Sequence, residues 1–266
     1  MNIWANTKTL DDYITTSNDK EKAEILLLGS KTVCLEEFPN AKGIFRVGIG
    51  RDNVPFDEAK DRNILIRFPS EETIDVIYEE TANFTCYLIF KMFYASVGYV
   101  DGWVKNSRNL FSDNRLLIIG GGNIGQRVAK KMDDFLEVDV FDIDSNNIED
   151  LRGMIEESDC ISLHIPYNSD NKNFFDEEKI GWMKDKAILI NTSRGSIVSE
   201  DALYDSIKNG KVLAAFDVFW KEPYEGKLKE FYPDGFFMTP HIASTNKKFL
   251  ENAAKDLMVF VEGFDD

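Results

Sequence analysis

Short apolar runs alternate with longer, mixed-polarity stretches along most of the chain, and the alternation becomes regular after Arg115. Residues 116–119, 138–141, 160–165, 187–190, 213–218 and 236–239 each read as a buried strand. Between them, 124–135, 145–157, 176–184 and 199–209 read as helices. Two of these open on acids, at Asp176-Glu177-Glu178 and Ser199-Glu200-Asp201, where the helix dipole favours negative charge. Six strands with intervening helices predict a doubly wound parallel sheet of the α/β class.

The residues before this region predict a smaller α/β unit. Strands are expected at 3–4, 25–28, 43–47 and 64–68, followed by one long helix at 72–96. The stretch 98–114, rich in Gly, Asn, Ser and Asp, reads as the crossing between units, and 245–264 as a closing helix that could return to either unit. No long Pro/Gly linker separates them. The expected division is 1–82 plus 245–266 for the smaller, discontinuous unit and 83–244 for the larger.

Composition narrows the function. At 266 residues with 43% hydrophobic and 12% aromatic side chains, the chain has ample material for a packed core. Its net charge of −16 repels phosphate backbones and anionic lipid, so neither nucleic acid nor a membrane surface is an expected partner. Three widely spaced cysteines, with no CxxC pair, exclude a disulfide framework and a cysteine-rich zinc site, and no metal is expected. Without a signal-like start or a long apolar stretch, the expected location is cytoplasmic.

The strand at 116–119 runs into Gly120-Gly121-Gly122-Asn123-Ile124-Gly125, a G-x-G-x-x-G turn. Gly120 permits the tight turn, Gly122 lets the backbone approach a pyrophosphate, and Gly125 allows helix and strand to pack closely. The helix N-terminus beyond offers N–H groups to that anion. The bare hexapeptide also occurs in βαβ turns that bind nothing. Here, however, the next strand ends in Asp142, 17 residues after Gly125, where a carboxylate can accept both ribose hydroxyls and repels a 2′-phosphate. With Asp144 close by and no Lys or Arg from 142 to 147, the expected cofactor is NAD rather than NADP.

The chain has two histidines, His164 and His241, each where an expected strand ends. Ligands bind at that edge in open α/β sheets. Asn191-Thr192-Ser193-Arg194-Gly195 and Asp217-Val218-Phe219-Trp220-Lys221-Glu222-Pro223 leave two further strands. An imidazole, a guanidinium and carboxylates beside a nicotinamide suit alcohol oxidation. A base takes the hydroxyl proton as hydride departs, a carboxylate fixes the base's tautomer, and an arginine grips a substrate carboxylate in a bidentate fork. His164 is equally readable as a structural residue at a strand end.

Taken together, the glycine turn with Asp142, His164-x-Pro166, Asn191-x-x-Arg194-Gly195, Asp217-Val-Phe-x-x-Glu222-Pro223 and Thr239-Pro240-His241 occur in the order of the D-isomer-specific 2-hydroxyacid dehydrogenases. The chain resembles that family from about residue 42 to 264, most specifically from 115 to 245. The resemblance implies a Rossmann NAD domain inserted in a smaller flavodoxin-like α/β substrate domain. It implies His241 as acid/base, Glu222 as its orienting partner, and Arg194 as the catalytic arginine that also binds the substrate carboxylate. Cofactor contacts are expected from Gly120, Gly122, Asn123, Ile124, Gly125 and Asp142, and from His164, Pro166, Thr192 and Asp217, the last at the nicotinamide amide. The segment Arg46-Val47-Gly48-Ile49-Gly50-Arg51-Asp52-Asn53-Val54 resembles the family's substrate loop. Arg46, Gly48, Ile49 and Gly50 are accordingly expected at the substrate, with Arg46 alternatively propping the loop. Glu71 and Glu72 depart from the family pattern before the long helix and are expected to bear on specificity.

The expected partner is a small 2-hydroxyacid or 2-oxoacid, of the phosphoglycerate or glyoxylate/hydroxypyruvate kind, and the resemblance implies a homodimer. The aromatic-rich segment 87–94 and Trp103 read as packing at a subunit contact. The formate-dehydrogenase branch pairs its histidine with glutamine, so Glu222 argues against it. A competing reading is an NAD-sensing interaction protein without turnover, which the presence of Arg194, Glu222 and His241 together disfavours. An amino-acid dehydrogenase would need a catalytic lysine motif that the chain lacks. Residues 41–70 carry six basic side chains against four acidic, a locally positive segment in an acidic chain.

Overall fold

The computed structural model describes residues 1–95, 97, 101–103, 105 and 107–264. The chain divides into two compact units, Met1–Glu80 with Ser244–Asp266, and Thr81–Ala243. Most of the segment expected as the crossing falls between described elements, and part of it lies outside the described residues.

In the larger unit, β5 (Arg115–Ile119), β6 (Glu137–Phe141), β7 (Cys160–Leu163), β8 (Ala187–Asn191), β9 (Val212–Phe216) and β10 (Phe236–Met238) form a parallel sheet in the order β10-β9-β8-β7-β5-β6. Successive side chains on a strand point to opposite faces. Leu117 and Ile119 therefore enter one core with Ile161, Leu163 and Phe216, while Leu116 and Ile118 enter another with Cys160, Ile188 and Ile190. Burial on both faces explains why the inner strands β5, β8 and β9 read as largely apolar runs, whereas the half-buried β6 alternates Val and Asp. Helices α3 (Asn123–Met132), α4 (Leu151–Glu157), α5 (Glu177–Trp182) and α6 (Glu200–Lys208) supply the crossovers. The order reverses between β5 and β7, so the turns after those strands flank the switch point where doubly wound sheets bind ligands.

The smaller unit holds β1 (Ile3–Ala5), β2 (Ile25–Leu28), β3 (Gly43–Arg46) and β4 (Leu65–Arg67), parallel and in that order. Trp4 also forms a parallel bridge to Ser17, so the segment after β1 returns to the outer side of β1. That return is the flavodoxin-like arrangement, with its second strand reduced to one bridge. One face packs Ile25, Leu27 and Phe45 against Phe249, Ala253, Leu257 and Phe260 of the closing helix α7 (Lys247–Glu262). The other face packs Leu26, Leu28 and Ile44 with Ala59 of α1 (Phe56–Asp61). The closing helix therefore returns to the first unit.

The long helix α2 (Glu71–Phe93) begins one residue earlier than the sequence suggests and contains the boundary between the units. Its start is held by Asp256 of α7, whose Oδ2 accepts from Ser70 N and Oγ and from Thr73 Oγ1 at 2.7–2.9 Å. Glu71 and Glu72 form the first turn of α2. Glu72 Oε1 lies 3.4 Å from Asn252 Nδ2 and 3.9 Å from Lys248 Nζ, both on α7. No helix among the described residues is long and apolar enough to cross a membrane.

Candidate active site

The glycine turn follows β5 directly. Gly120 has φ +106°, and a Cβ there would stand 2.6 Å from the carbonyl oxygen of His164, so the turn passes against the end of β7. A Cβ on Gly125 would fall 1.9 Å from Gly120 O, which places the first turn of α3 directly on the strand end. Gly122, the N-cap of α3, makes no side-chain cap, and a Cβ there would meet nothing within 4 Å. The N–H groups that a helix leaves without internal partners at Asn123 and Ile124 thus lie beside an open cradle.

Across this turn, Asp142 directly follows β6. Its Oδ2 accepts from Gly121 N at 2.6 Å and its Oδ1 from Asp144 N at 3.0 Å, while Asn146 Oδ1 accepts from Asp142 N at 2.8 Å. These bonds fix the carboxylate beside the glycine turn. An open cradle with an acid at its far rim fits a dinucleotide.

His164 directly follows β7, its Nε2 2.8 Å from Ser162 Oγ. Its outer edge reaches solvent, but the ring is packed densely enough that burial pushes its pKa down to about 3. Pro166 lies on the loop beyond, its carbonyl accepting from Asn171 Nδ2. Thr192 is buried, with its hydroxyl 2.9 Å from that of Thr85.

Arg194 follows β8. Its NH1 donates to Ser193 O at 2.7 Å, and its own carbonyl accepts from Asn191 Nδ2 at 2.9 Å. Ser193 N donates back to Asn191 Oδ1 at 2.9 Å, so the buried Asn191 braces the turn from both sides. Gly195 sits so close to the next loop that a Cβ would stand 2.2 Å from the Phe219 carbonyl carbon. The arginine turn and the loop carrying Glu222 are therefore in backbone contact.

Beyond β10, His241 has a left-handed backbone, φ +54°. Histidine is among the few residues besides glycine that enter that region with any frequency, and the bonds around it show what holds it there. Asp217, fully buried after β9, binds the chain on either side of the histidine. Its Oδ1 accepts from Thr239 Oγ1 at 2.6 Å and from Ile242 N at 2.9 Å, and its Oδ2 from Ala243 N at 2.9 Å. Burial raises the Asp217 pKa, and these bonds oppose the rise. On the imidazole, Nδ1 lies 3.0 and 2.9 Å from Glu222 Oε1 and Oε2, and Glu222 Oε1 also accepts from Phe219 N at 3.2 Å. Among the described residues Nε2 has no hydrogen-bond partner.

The structure thus joins His241 to Glu222, ties the histidine's loop to Asp217, and sets the Arg194 turn against the Glu222 loop. Sequence reasoning missed Thr239 as a partner of Asp217. The hydroxyl two positions before the histidine was its only trace.

In the smaller unit, the turn after β3 carries Gly48, Ile49 and Gly50, with Arg46 beneath it. The Arg46 side chain is buried, donating from Nε to Asn53 Oδ1 at 3.2 Å and from NH1 to Leu28 O at 3.4 Å. A Cβ on Gly48 would stand 2.9 Å from Arg46 NH1, so the glycine leaves room for the guanidinium. Asn53 Nδ2 in turn donates to Gly29 O and Lys31 O, at 2.7 and 2.9 Å, which ties this turn to the one after β2.

Residues 95–243 match the family model for the D-isomer specific 2-hydroxyacid dehydrogenase NAD binding domain. The chain belongs to that family. It is therefore an NAD-dependent oxidoreductase, with the glycine turn and Asp142 in its NAD-binding domain. Over 250 residues the chain is 31% identical to a hydroxypyruvate reductase of Thermotoga maritima, an alignment covering 89% of this chain and 78% of that one. It is 29% identical over 279 residues to a glycerate dehydrogenase of Methylorubrum extorquens, covering 98% and 88%. A D-lactate dehydrogenase structure from Aquifex aeolicus, complexed with NAD and lactic acid, superposes with a TM-score of 0.80. It covers 98% of this chain and 94% of its own, and at 24% identity that likeness speaks to the fold.

Proposed function

We propose that the chain interconverts a small D-2-hydroxyacid and its 2-oxoacid, with His241 as the acid/base. The observation that carries this reading is the His241–Glu222 pair. Glu222 holds the imidazole by Nδ1–H and leaves Nε2 as the open nitrogen.

In oxidation, His241 Nε2 takes the proton of the 2-hydroxyl, and in reduction it returns that proton to the carbonyl oxygen. Glu222 stabilises the imidazolium formed in between. Arg194 grips the substrate carboxylate, its turn kept rigid by Asn191. Bound NAD supplies the hydride acceptor in oxidation and, once reduced, the donor. Gly120, Gly122, Asn123, Ile124 and Gly125 would hold its pyrophosphate, and Asp142 its ribose. His164, Pro166, Thr192 and Asp217 are the further residues at that sheet edge that would line its site. In the smaller unit, the backbone of Gly48, Ile49 and Gly50 forms an anion nest, with Arg46 supporting it from beneath.

The similar reductases and dehydrogenases favour hydroxypyruvate and glyoxylate as first substrates to try. We further place the enzyme in the cytoplasm as a homodimer. Three free cysteines suit a reducing compartment, and exposed Leu110 and Phe135 neighbour the ring cluster of Phe90, Phe93 and Phe111, in sequence and in contact respectively. Sedimentation of the purified chain tests the dimer.

The activity is tested by following NADH oxidation with glyoxylate, hydroxypyruvate, pyruvate, 2-oxoglutarate and phosphohydroxypyruvate. Turnover of at least one is expected. NADH binding with no turnover on any of them would overturn the enzymatic reading in favour of a nucleotide-sensing role.

A further inference from the structure

Residues 217–226 leave β9 and form neither helix nor strand before the 3₁₀ turn at Lys227–Phe231, yet they carry Glu222. Without a ladder of backbone bonds, the carboxylate that orients His241 has to be placed by side chains. Alternate residues of the loop supply them. Trp220, Glu222 and Tyr224 are half-buried, while Lys221, Pro223 and Glu225 are exposed. Trp220 donates from Nε1 to Val198 O at 2.7 Å. Tyr224 donates from its hydroxyl to Glu200 Oε1 at 2.7 Å and accepts from Leu228 N at 3.2 Å. Burial, and then the carboxylate it faces, push the phenol's pKa up, so it remains the donor.

The rings also lock against one another and against the sheet. Trp220 stacks on Phe216 of β9 at 5.9 Å and 28°, and Tyr224 on Phe219 at 4.9 Å and 21°. The Trp220 and Tyr224 rings meet at 5.9 Å. These two anchors flank Glu222 at two positions on either side, and both end on the stretch 198–200, just past the Arg194-Gly195 turn. That stretch has supports of its own. Phe175 N donates to Ile197 O at 2.9 Å and Asn173 N to Ser196 O at 2.8 Å, while Asn191 braces Arg194. The arginine turn is therefore the fixed part, and the Glu222 loop hangs from it.

We propose that Trp220 and Tyr224 are positioning residues for proton transfer: they hold the Glu222 carboxylate at His241 Nδ1 by fastening its loop to the arginine turn. They act through Glu222 and not on the substrate. This rests on the reading of His241 as the acid/base with Glu222 as its partner.

The test follows NADH oxidation with whichever of the five 2-oxoacids the wild type reduces fastest. Trp220→Phe removes the indole N–H but keeps a ring, and Tyr224→Phe removes only the hydroxyl. Each is expected to lower kcat roughly tenfold, as a slightly misplaced partner of the reacting group implies. KM for the oxoacid and Kd for NADH should stay within about twofold of wild type, because the arginine turn and the glycine cradle keep their own supports. Glu200→Ala should match Tyr224→Phe, and Glu200→Gln, which still offers the hydroxyl an oxygen, should recover most of that loss. The double variant Trp220→Phe/Glu222→Gln separates positioning from general loosening. It should be no slower than Glu222→Gln alone, within about twofold, since no carboxylate is left to place. Wild-type kcat in both Phe variants, or a Trp220→Phe loss that recurs in full on top of Glu222→Gln, overturns the proposal while leaving the dehydrogenase reading intact. Near-native kcat in Glu222→Gln itself, or turnover of none of the five acids by the wild type, overturns that reading and the proposal together.

Discussion

Nδ1 of His241 lies 2.9–3.0 Å from both carboxylate oxygens of Glu222, so one hydrogen bond sets both the tautomer and the direction of the ring. Because the carboxylate can only accept, the proton sits on Nδ1 and the lone pair on Nε2. Replacing Glu222 with Gln keeps the shape but removes the charge and lets the amide donate, which favours the wrong tautomer. Glu222→Gln is expected to lower kcat by about 10²–10⁴ with NADH affinity nearly unchanged. Near-native kcat in this variant would dissolve the pair's role.

Asp217 holds the histidine loop rather than the histidine itself. Its removal leaves the N–H groups of Ile242 and Ala243 and the Thr239 hydroxyl without their acceptor, and the buried one, at Ala243, alone costs about 1–3 kcal/mol. Asp217→Ala should therefore lower the unfolding midpoint and reduce kcat, because nothing then imposes the left-handed backbone on His241. A variant with both properties intact would show that the loop holds its shape unaided.

Gly122 separates folding from cofactor binding. A methyl group there meets no protein atom within 4 Å, so Gly122→Ala should leave thermal stability within about 0.5 kcal/mol of wild type. The same methyl occupies the cradle where backbone must approach the pyrophosphate, so the Kd for NADH should rise. Calorimetry and a melting curve on the same sample check both. Unchanged NADH affinity would remove the cradle from the cofactor site.

His164 makes stability fall on the acid side. Burial holds its folded-state pKa at about 3, against an ordinary 6.5 that the unfolded chain recovers. The unfolded state therefore takes up a proton first as pH falls, and stability fully present above about pH 6.5 drains away toward pH 3. Urea midpoints for wild type and His164→Asn at about pH 7 and pH 4.5 should show a steeper acid loss in the wild type. Equal losses would mean that the ring is not shielded.

The inner strands of the larger unit were legible because both faces of the sheet are buried there, which makes β5, β8 and β9 largely apolar runs, while β6 showed itself by alternation. The site residues were legible because the fold puts loops at one sheet edge, so motif order along the chain became proximity in space. Other features carried no such signal. The stretch 145–157 reads as one helix, but Asp142 O accepts from Ser145 N and Asn146 N, which holds residues up to Asn147 in a turn. A 3₁₀ turn at Ile148–Asp150 follows, and α4 starts only at Leu151. The short α1 buries a single apolar side chain, Ala59, which is too little periodicity to read. The return of the chain beside β1 at Ser17 is a single bridge among polar residues. The bonds from Asp217 to Thr239, Ile242 and Ala243 join segments more than twenty residues apart, and no local pattern encodes them.

Single-turnover reduction of a productive 2-oxoacid by NADH-loaded His241→Ala, beside NADH titration of the same variant, bears most directly on the chemistry. With no group at Nε2 to protonate the carbonyl oxygen, hydride transfer is expected to slow by roughly 10²–10⁴ while NADH binds as in the wild type. Hydride transfer at the wild-type rate would contradict His241 as the acid/base and return the proton to another group.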